Sequence, residues 1–273
     1  MYAKPAEPRN AWDRALAAAE FSRWCFAIAE VELKKMLRDP MEMFSRAVQP
    51  VLWLVIFGQV FSRVKGIPTE NLSYLDYMSP GILAQSVLFT AIFYGIAVIW
   101  ERDLGIIHKL LVSPANRGAL VFGKAVAAGF RGLVQAVIIY FTAIALHISI
   151  RWEPLAVAGV CLSIFIGSAI FSSFSLIIAC IVKTRERFLG IGQVLTMPLF
   201  FASNAIYPLE LMPPWLQIIA RINPLTYLVD ALRGLMILNG QHIHSLGLDF
   251  GVMALILVVM VAAAAKLYPS LVQ

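Results

Sequence analysis

The residues to weigh first are those whose types and spacing could do chemistry. Gly118-Ala-Leu-Val-Phe-Gly123-Lys124 has the GxxxxGK spacing of a phosphate-binding loop. In such a loop glycines let backbone amides close around phosphates, and a Ser or Thr after the lysine holds magnesium. Here Ala125 follows the lysine, bulky side chains fill the loop and an apolar helix surrounds it, so the chain does not bind ATP by that route. His242 and His244 alternate in a polar loop, but a metal site needs further ligands that the sequence does not show. Solvated histidines are therefore the expectation, and no metal site is predicted. No HExxH, no GxSxG and no Asp/Glu pair within an apolar run supports an intramembrane enzyme. The lack of carboxylates inside those runs also argues against a proton- or sodium-coupled carrier. Arg131, near Gly129, Gly132 and Gln135, is the one charge well inside an apolar run. Intramembrane ionisable groups mark function by default, although this one can also sit near the mouth of a span and pair with backbone or snorkel.

The elements that must position these residues are membrane spans. Of 273 residues, 60% are hydrophobic and 14% charged, with a mean hydropathy of +0.79, which is the composition of a polytopic all-α membrane protein. Six apolar stretches are predicted to cross, at about 47–64, 80–100, 118–150, 154–182, 188–207 and 249–268. Residues 1–40 form an N-terminal segment before this six-span domain at 41–273; residues 1–20 carry Arg9, Asp13, Arg14 and Glu20 and no apolar h-region, so no cleavable signal peptide is expected. Cys25, Cys161 and Cys180 have neither metal spacing nor a disulfide framework and read as packing residues. A net charge of +6 is better explained by positive-inside bias than by nucleic acid, so no nucleic-acid partner is predicted. Lys and Arg crowd the segments before the first span, after the second and after the fourth, placing both termini in the cytoplasm.

Three stretches outside the spans have pattern. Glu101–Lys124 reads as a short amphipathic helix from Arg102 to Val112. Leu104, Ile106, Ile107, Leu110 and Leu111 share one arc, with Arg102, Gly105, His108 and Lys109 opposite. Glu101 and Asp103 in the first turn and Lys109 in the last suit the helix dipole, and Ser113-Pro114 ends the helix. Its mixed charges fit a protein groove better than lipid headgroups; the alternative is a connector tucked under its own bundle. Asp13–Arg38 reads as a surface helix with Phe21, Trp24, Cys25, Ile28 and Val31 on one face and Lys34, Lys35 and Arg38 towards its end. It is either an interfacial anchor or a partner-binding helix. Between residues 208 and 238, Asn223 as N-cap and Pro224 at the first helical position start a helix of about 22 Å, too short to span. Two half-helices, Pro213–Ala220 and Pro224–Leu238, are read as re-entrant from the outer side, the alternative being an ordinary surface pair.

With these residues in place, the chain resembles a permease of the type-2 ABC exporter family, which includes daunorubicin-resistance and related bacterial and archaeal exporters. The match rests on Arg38-Asp39-Pro40, on the E-R-D-x-G block from Glu101 to Pro114 with Gly123-Lys124, and on Tyr207-Pro208-Leu209-Glu210 through Pro213, Trp215, Asn223-Pro224 and Asp230/Arg233. The resemblance implies a coupling helix at 101–114, with Glu101, Arg102, Asp103, Gly105, Lys109, Leu110, Leu111, Ser113 and Pro114 against a separately encoded ATPase subunit. It implies an interface helix carrying Trp24, Ile28, Val31, Lys35 and Arg38. It also implies an outer gate carrying Pro208, Glu210, Trp215, Asn223, Pro224, Asp230 and Arg233. Two ATPase copies, a second permease copy as homodimer, and membrane lipid are the implied partners, with ATP and magnesium on the ATPase and no cofactor on this chain. The cargo would be a drug, lipid or lipid-linked glycan leaving the cytoplasm of a bacterium or archaeon. An ATP-independent carrier and an intramembrane enzyme are the competing readings.

Overall fold

A computed structural model describes residues 11–63, 72–112, 117–182, 184–240 and 242–272. Eleven α-helices are found among them, and the sheet-like pairing is limited to an isolated antiparallel bridge between Ile150 and Ile237. Helix α1 (Ala11–Arg38) ends where Pro40 opens α2 (Pro40–Leu52), whose first turn is capped by Asp39 accepting from the Glu42 N–H at 3.2 Å. Pro50 cannot donate to the helical ladder, and beyond it the rod widens into a π turn at Trp53–Phe57 before α3 (Gly58–Phe61). The helical stretch that holds the first predicted span therefore starts at Pro40, ahead of residue 47.

Helix α4 (Tyr74–Asp103) is capped by Ser73 and runs past both ends of its predicted span. It stops at Leu104 because Gly105 adopts φ +71°, donating to the Arg102 carbonyl at 2.9 Å. Only a residue without Cβ takes that left-handed conformation at little cost. The short helix α5 (Ile106–Val112) follows. The expected single helix from Arg102 to Val112 is thus two pieces: Arg102 and Asp103 complete α4, and Gly105 is the joint.

Helix α6 (Arg117–Ala145) ends five residues short of the expected boundary. His147 at φ 55° turns the chain into the extended piece that bridges to Ile237. Helix α7 (Pro154–Ile181) matches its prediction closely. Helix α8 (Arg185–Phe201) has 17 residues, about 26 Å of rise, and does not reach residue 207. Then come α9 (Pro214–Ile222), α10 (Pro224–Met236) and α11 (Leu246–Leu267).

Among the described residues, five helical stretches are long and apolar enough to cross a bilayer: Pro40–Phe61, Tyr74–Asp103, Arg117–Ala145, Pro154–Ile181 and Leu246–Leu271. The chain is an all-α integral membrane protein. Helices α4 and α7 form the buried centre and pack on each other and on α6, whereas α2–α3 and α11 turn most of their apolar surface outward, as lipid-facing helices do. Two clusters make up the core: a large one around Ile82, Leu88, Ile164, Phe171 and Leu228, and a smaller one around Ile99, Ile107, Phe188 and Tyr268.

Candidate functional site

The smaller core cluster seats α5. Ile107 is fully buried in it and Leu110 packs at its edge, while Leu104 (67% exposed), Ile106 and Val112 (72%) face outward beside His108 and Lys109. The single apolar arc expected from the sequence is therefore split. Its middle clips the helix to its own bundle, and its ends remain uncovered in this chain. The side chain of Leu111 and all of Ser113 and Pro114 lie outside the described residues. Beside this helix Asp103 is held by Arg102 and by Arg185 of α8, each at 2.9 Å, and the Arg185 guanidinium lies 3.6 Å over the Trp100 ring. The last turn of α4 is thereby tied to the first turn of α8.

Directly behind α5 lies a buried cluster of charges. Glu101 bonds Lys35 of α1 at 2.5 Å and Lys124 of α6 at 2.7 Å. Glu32 of α1 accepts from Lys35 and Lys124 at 3.2 Å each and from Arg131 at 3.1 Å. Arg131 also stacks on the Tyr94 ring, 4.3 Å from its centroid. Three cations thus meet two carboxylates, and Glu32, Glu101, Lys124 and Arg131 are all buried. Burial alone would raise the Glu32 carboxyl, but Lys124, Lys35 and Arg131 together hold it well below the usual carboxylate range. Charges this deep persist only when each has partners.

This cluster gives the false phosphate-loop motif its actual use. A Cβ on Gly123 would lie 2.9 Å from the Cys25 carbonyl oxygen and from Ile28 Cβ, so the glycine lets α1 lie flush on α6. Lys124 supplies the central cation. Arg131 is two turns further along the same face and bonds a carboxylate, not backbone or the solvent edge.

The N-terminal helix is rotated from its expected setting. Its buried face is Cys25, Ala29 and Glu32, Trp24 and Ile28 are half-buried, and Val31 is 52% exposed. Lys35 reaches into the cluster and Arg38 is exposed. Glu32 was missed because one carboxylate among apolar residues does not disturb a helical pattern. The available signal was the spacing of Lys124 and Arg131: two cations seven apart on one face of an apolar helix need acids from elsewhere. Between α1, α2 and α4 the cluster opens into a cleft of about 580 Å³ that is charged at Lys35, Arg46 and Arg131 and aromatic at Phe93, Tyr94 and Trp100.

The opposite end of α4 meets the 202–249 region. Asn223 caps α10 through the Leu225 N–H and donates its amide to the carbonyls of Leu199 and Ala202, both at 2.7 Å. Pro224 occupies the first turn. Helix α10 is buried along nearly its whole length, which excludes an ordinary surface position for it. Helix α9 instead exposes Trp215, Ile218, Ile219 and Ile222. Pro208 leads into a 3-10 turn at Leu209–Leu211 in which Glu210 is exposed. Arg233 donates to the Asn204 carbonyl at 2.6 Å and lies 3.9 Å over the Tyr77 ring. Asp230, one turn earlier, accepts from the backbone N–H groups of Ile243 and His244 at 2.7 and 2.8 Å. His244 is therefore not a freely solvated histidine: its ring meets Asp230 and approaches Asp249, two carboxylates with no exposed surface. Asp249 also corrects the expectation that no carboxylate lies within a span, because it sits in the first turn of α11 and is fully buried.

Comparison with known proteins agrees with this architecture. Residues 24–237 match the family described as ABC-2 type transporter. A putative transport permease, ycf38, of Cyanophora paradoxa is 30% identical over 216 residues, covering 78% of this chain and 74% of its own. The daunorubicin resistance ABC transporter permease protein DrrB1 of Streptomyces coeruleorubidus is 24% identical, covering 72% and 69% respectively. The probable multidrug ABC transporter permease YbhR of Escherichia coli K12 is 30% identical, over 59% of this chain and 43% of that protein.

Proposed function

The chain belongs to the ABC-2 type transporter family, and from that premise we propose that it is the permease subunit of an ATP-driven exporter. Two copies pair in a bacterial or archaeal cytoplasmic membrane, each engaging one copy of a separately encoded ATPase that binds ATP and magnesium. In this reading both termini and α5 face the cytoplasm, which the Lys/Arg bias of their flanking segments supports. In this arrangement α8 serves as a sixth, short crossing, and α9 and α10 form the re-entrant outer gate.

The observation that carries the proposal is the setting of α5. It is clipped to the bundle by Ile107, hinged at Gly105, and leaves Leu104, Ile106 and Val112 uncovered on its outer side. A short helix with an apolar outer face beside His108 and Lys109 suits a groove on a soluble protein better than it suits water. ATP-driven closure of two ATPase subunits would displace α5 and, with it, the adjoining ends of α4 and α6. Lys124 and Glu101 bind those two helices to α1, so the three move together. An effector shifts such an equilibrium only through contacts that differ between its two states, and the outer face of α5 provides them. The cleft beside the charge cluster, lined by charged and aromatic side chains together, suits an amphipathic cargo such as a drug, a lipid or a lipid-linked glycan.

The test is the double variant Leu104→Asp/Val112→Asp, co-expressed with the cognate ATPase. Because neither side chain packs in the core, the permease is expected to stay folded and membrane-inserted while ATPase capture and transport are lost. Full transport by this variant would refute the assignment. Vesicles containing the permease alone address the competing readings, since cargo movement there would establish a carrier and lipid turnover an enzyme.

A further inference from the structure

Asp230, His244 and Asp249 come from three separate elements: the middle of α10, the loop after it and the first turn of α11. Among the described residues they form the one group of His, Cys, Asp and Glu side chains whose ligand atoms all lie within 4.8 Å of one another. His244 Nδ1 is 3.1 Å from Asp230 Oδ2 and 3.8 Å from Asp249 Oδ1. Four ligands at zinc–nitrogen and zinc–oxygen distances sit about 3.3 Å apart around a tetrahedral ion. The two observed separations bracket that spacing.

A second, independent feature points into the same space. Asp249 has no exposed surface, and among the described residues neither of its carboxylate oxygens has a hydrogen-bond partner. A buried, unpartnered carboxylate is costly, and here a second buried carboxylate stands beside it. Arg233, the nearest cation on α10, is turned to the Asn204 carbonyl and the Tyr77 ring. Asp230 is held in place by two backbone N–H groups, and the His244 ring packs on Tyr227, 5.4 Å between centroids. Such outer contacts fix ligand orientation in metal sites.

We propose that Asp230, His244 and Asp249 bind one divalent transition cation of the zinc or manganese class, which ties α10 to the start of α11. One imidazole and two carboxylates disfavour soft copper(I), and the imidazole disfavours magnesium and calcium. Water completes the coordination from the partly exposed side of His244. The ion supplies the positive charge that the two acids otherwise lack. The site is structural: it fastens the loop 242–245 between two helices.

The experiment uses the full chain, purified in detergent through a tag without histidine, stripped with a chelator and dialysed against Zn²⁺. Metal analysis is expected to give about one equivalent per chain, and Co²⁺ to give a visible absorption band of nitrogen/oxygen coordination. Asp249→Asn and His244→Ala should each weaken Zn²⁺ binding at least tenfold, while His108→Ala and His147→Ala leave it unchanged. A readout that needs no variant is carbethoxylation of His244 in the wild-type chain, mapped by mass spectrometry, which Zn²⁺ should suppress. Binding well below one equivalent, Zn²⁺ binding that survives the combined Asp249→Asn/His244→Ala change, or His244 modification indifferent to Zn²⁺ would each overturn the proposal.

Discussion

Lys124→Met is the sharpest probe of the charge cluster. The lysine side chain is 4% exposed and joins Glu101 at 2.7 Å to Glu32 at 3.2 Å, so its removal strips one cation from each of two buried carboxylates. Methionine keeps the length and volume, which leaves lost electrostatics as the main effect. Breaking a buried pair by deleting one partner costs about 3–5 kcal/mol, because the other charge stays behind uncompensated. Two features pull towards the low end of that range. Lys35 still holds Glu101, and Arg131 still holds Glu32. At about 2–4 °C per kcal/mol for a chain of this size, the thermal transition in detergent should fall by roughly 6–12 °C. Pairing the change with Glu101→Gln removes the stranded acid, so the double variant should lose less than the sum of the single losses. A coupling of roughly 1–3 kcal/mol is expected for groups in one network. A shift under about 2 °C for Lys124→Met, or strict additivity in the cycle, would refute the view that this cluster binds α1 to α4 and α6.

Gly105→Ala places a Cβ at φ +71° with no atom nearby to clash, so its cost is purely conformational, about 1–2 kcal/mol; the chain should still insert while transport with the cognate ATPase falls, and unchanged transport would show that the joint is passive. Gly123→Leu cannot fit against Cys25 and Ile28, and lifting α1 from α6 should expose the Cys25 thiol, which burial pushes up. Maleimide labelling in a Cys161→Ser background should rise severalfold, and equal labelling would place α1 elsewhere. Glu32 is ionised in the fold well below its unfolded value of about 4.3, so its contribution is complete above that value and is lost as pH falls towards the lower folded value. The wild-type transition temperature should therefore drop between about pH 4.5 and pH 3, and Glu32→Gln, already destabilised at neutral pH, should drop less across that window.

The long apolar helices were legible because length and apolarity are local properties: the centres of α4, α6, α7 and α11 all fall within ranges predicted to cross. The N-terminal helix was legible from its amphipathic pattern, and the start of α10 from Asn223-Pro224, since capping chemistry is written in adjacent residues. Helix boundaries were less so. Apolar residues continue past Ala145, but a positive φ at His147 and the bridge to Ile237 end the helix. What the pattern could not give was which side of a helix meets which neighbour. Glu32 looked like one more polar residue on α1, and its importance depends on Lys124 and Arg131 being a hundred residues away in sequence and a hydrogen bond away in space. His244 likewise read as solvated, because its carboxylates come from different helices. Polar groups buried by tertiary packing carry no periodic signal, and here they are the groups around which the candidate sites are built.

The placement of those polar groups bears on how the proposed coupling would travel. Tyr74 and Tyr77, at one end of α4, donate to the carbonyls of Ile206 and Asn204, and Tyr77 receives the Arg233 guanidinium on its face. Glu101, at the other end, is held by Lys35 and Lys124. The 25 residues from Tyr77 to Glu101 span about 36 Å, and almost all of them are buried. A well-packed helix is stiff along its axis, and polar anchors at its two ends resist slippage where apolar contacts alone would allow it. In the proposed mechanism a displacement at α5 would reach the 202–212 segment through α4. By contrast α2–α3 and α11 pack on fewer neighbours and turn most of their surface outward. Weakening the far anchor should then separate transmission from capture. Tyr77→Phe with Arg233→Lys keeps α5 intact, so ATPase capture should be unchanged while transport falls; loss of capture instead would mean that the two ends of α4 are not mechanically distinct.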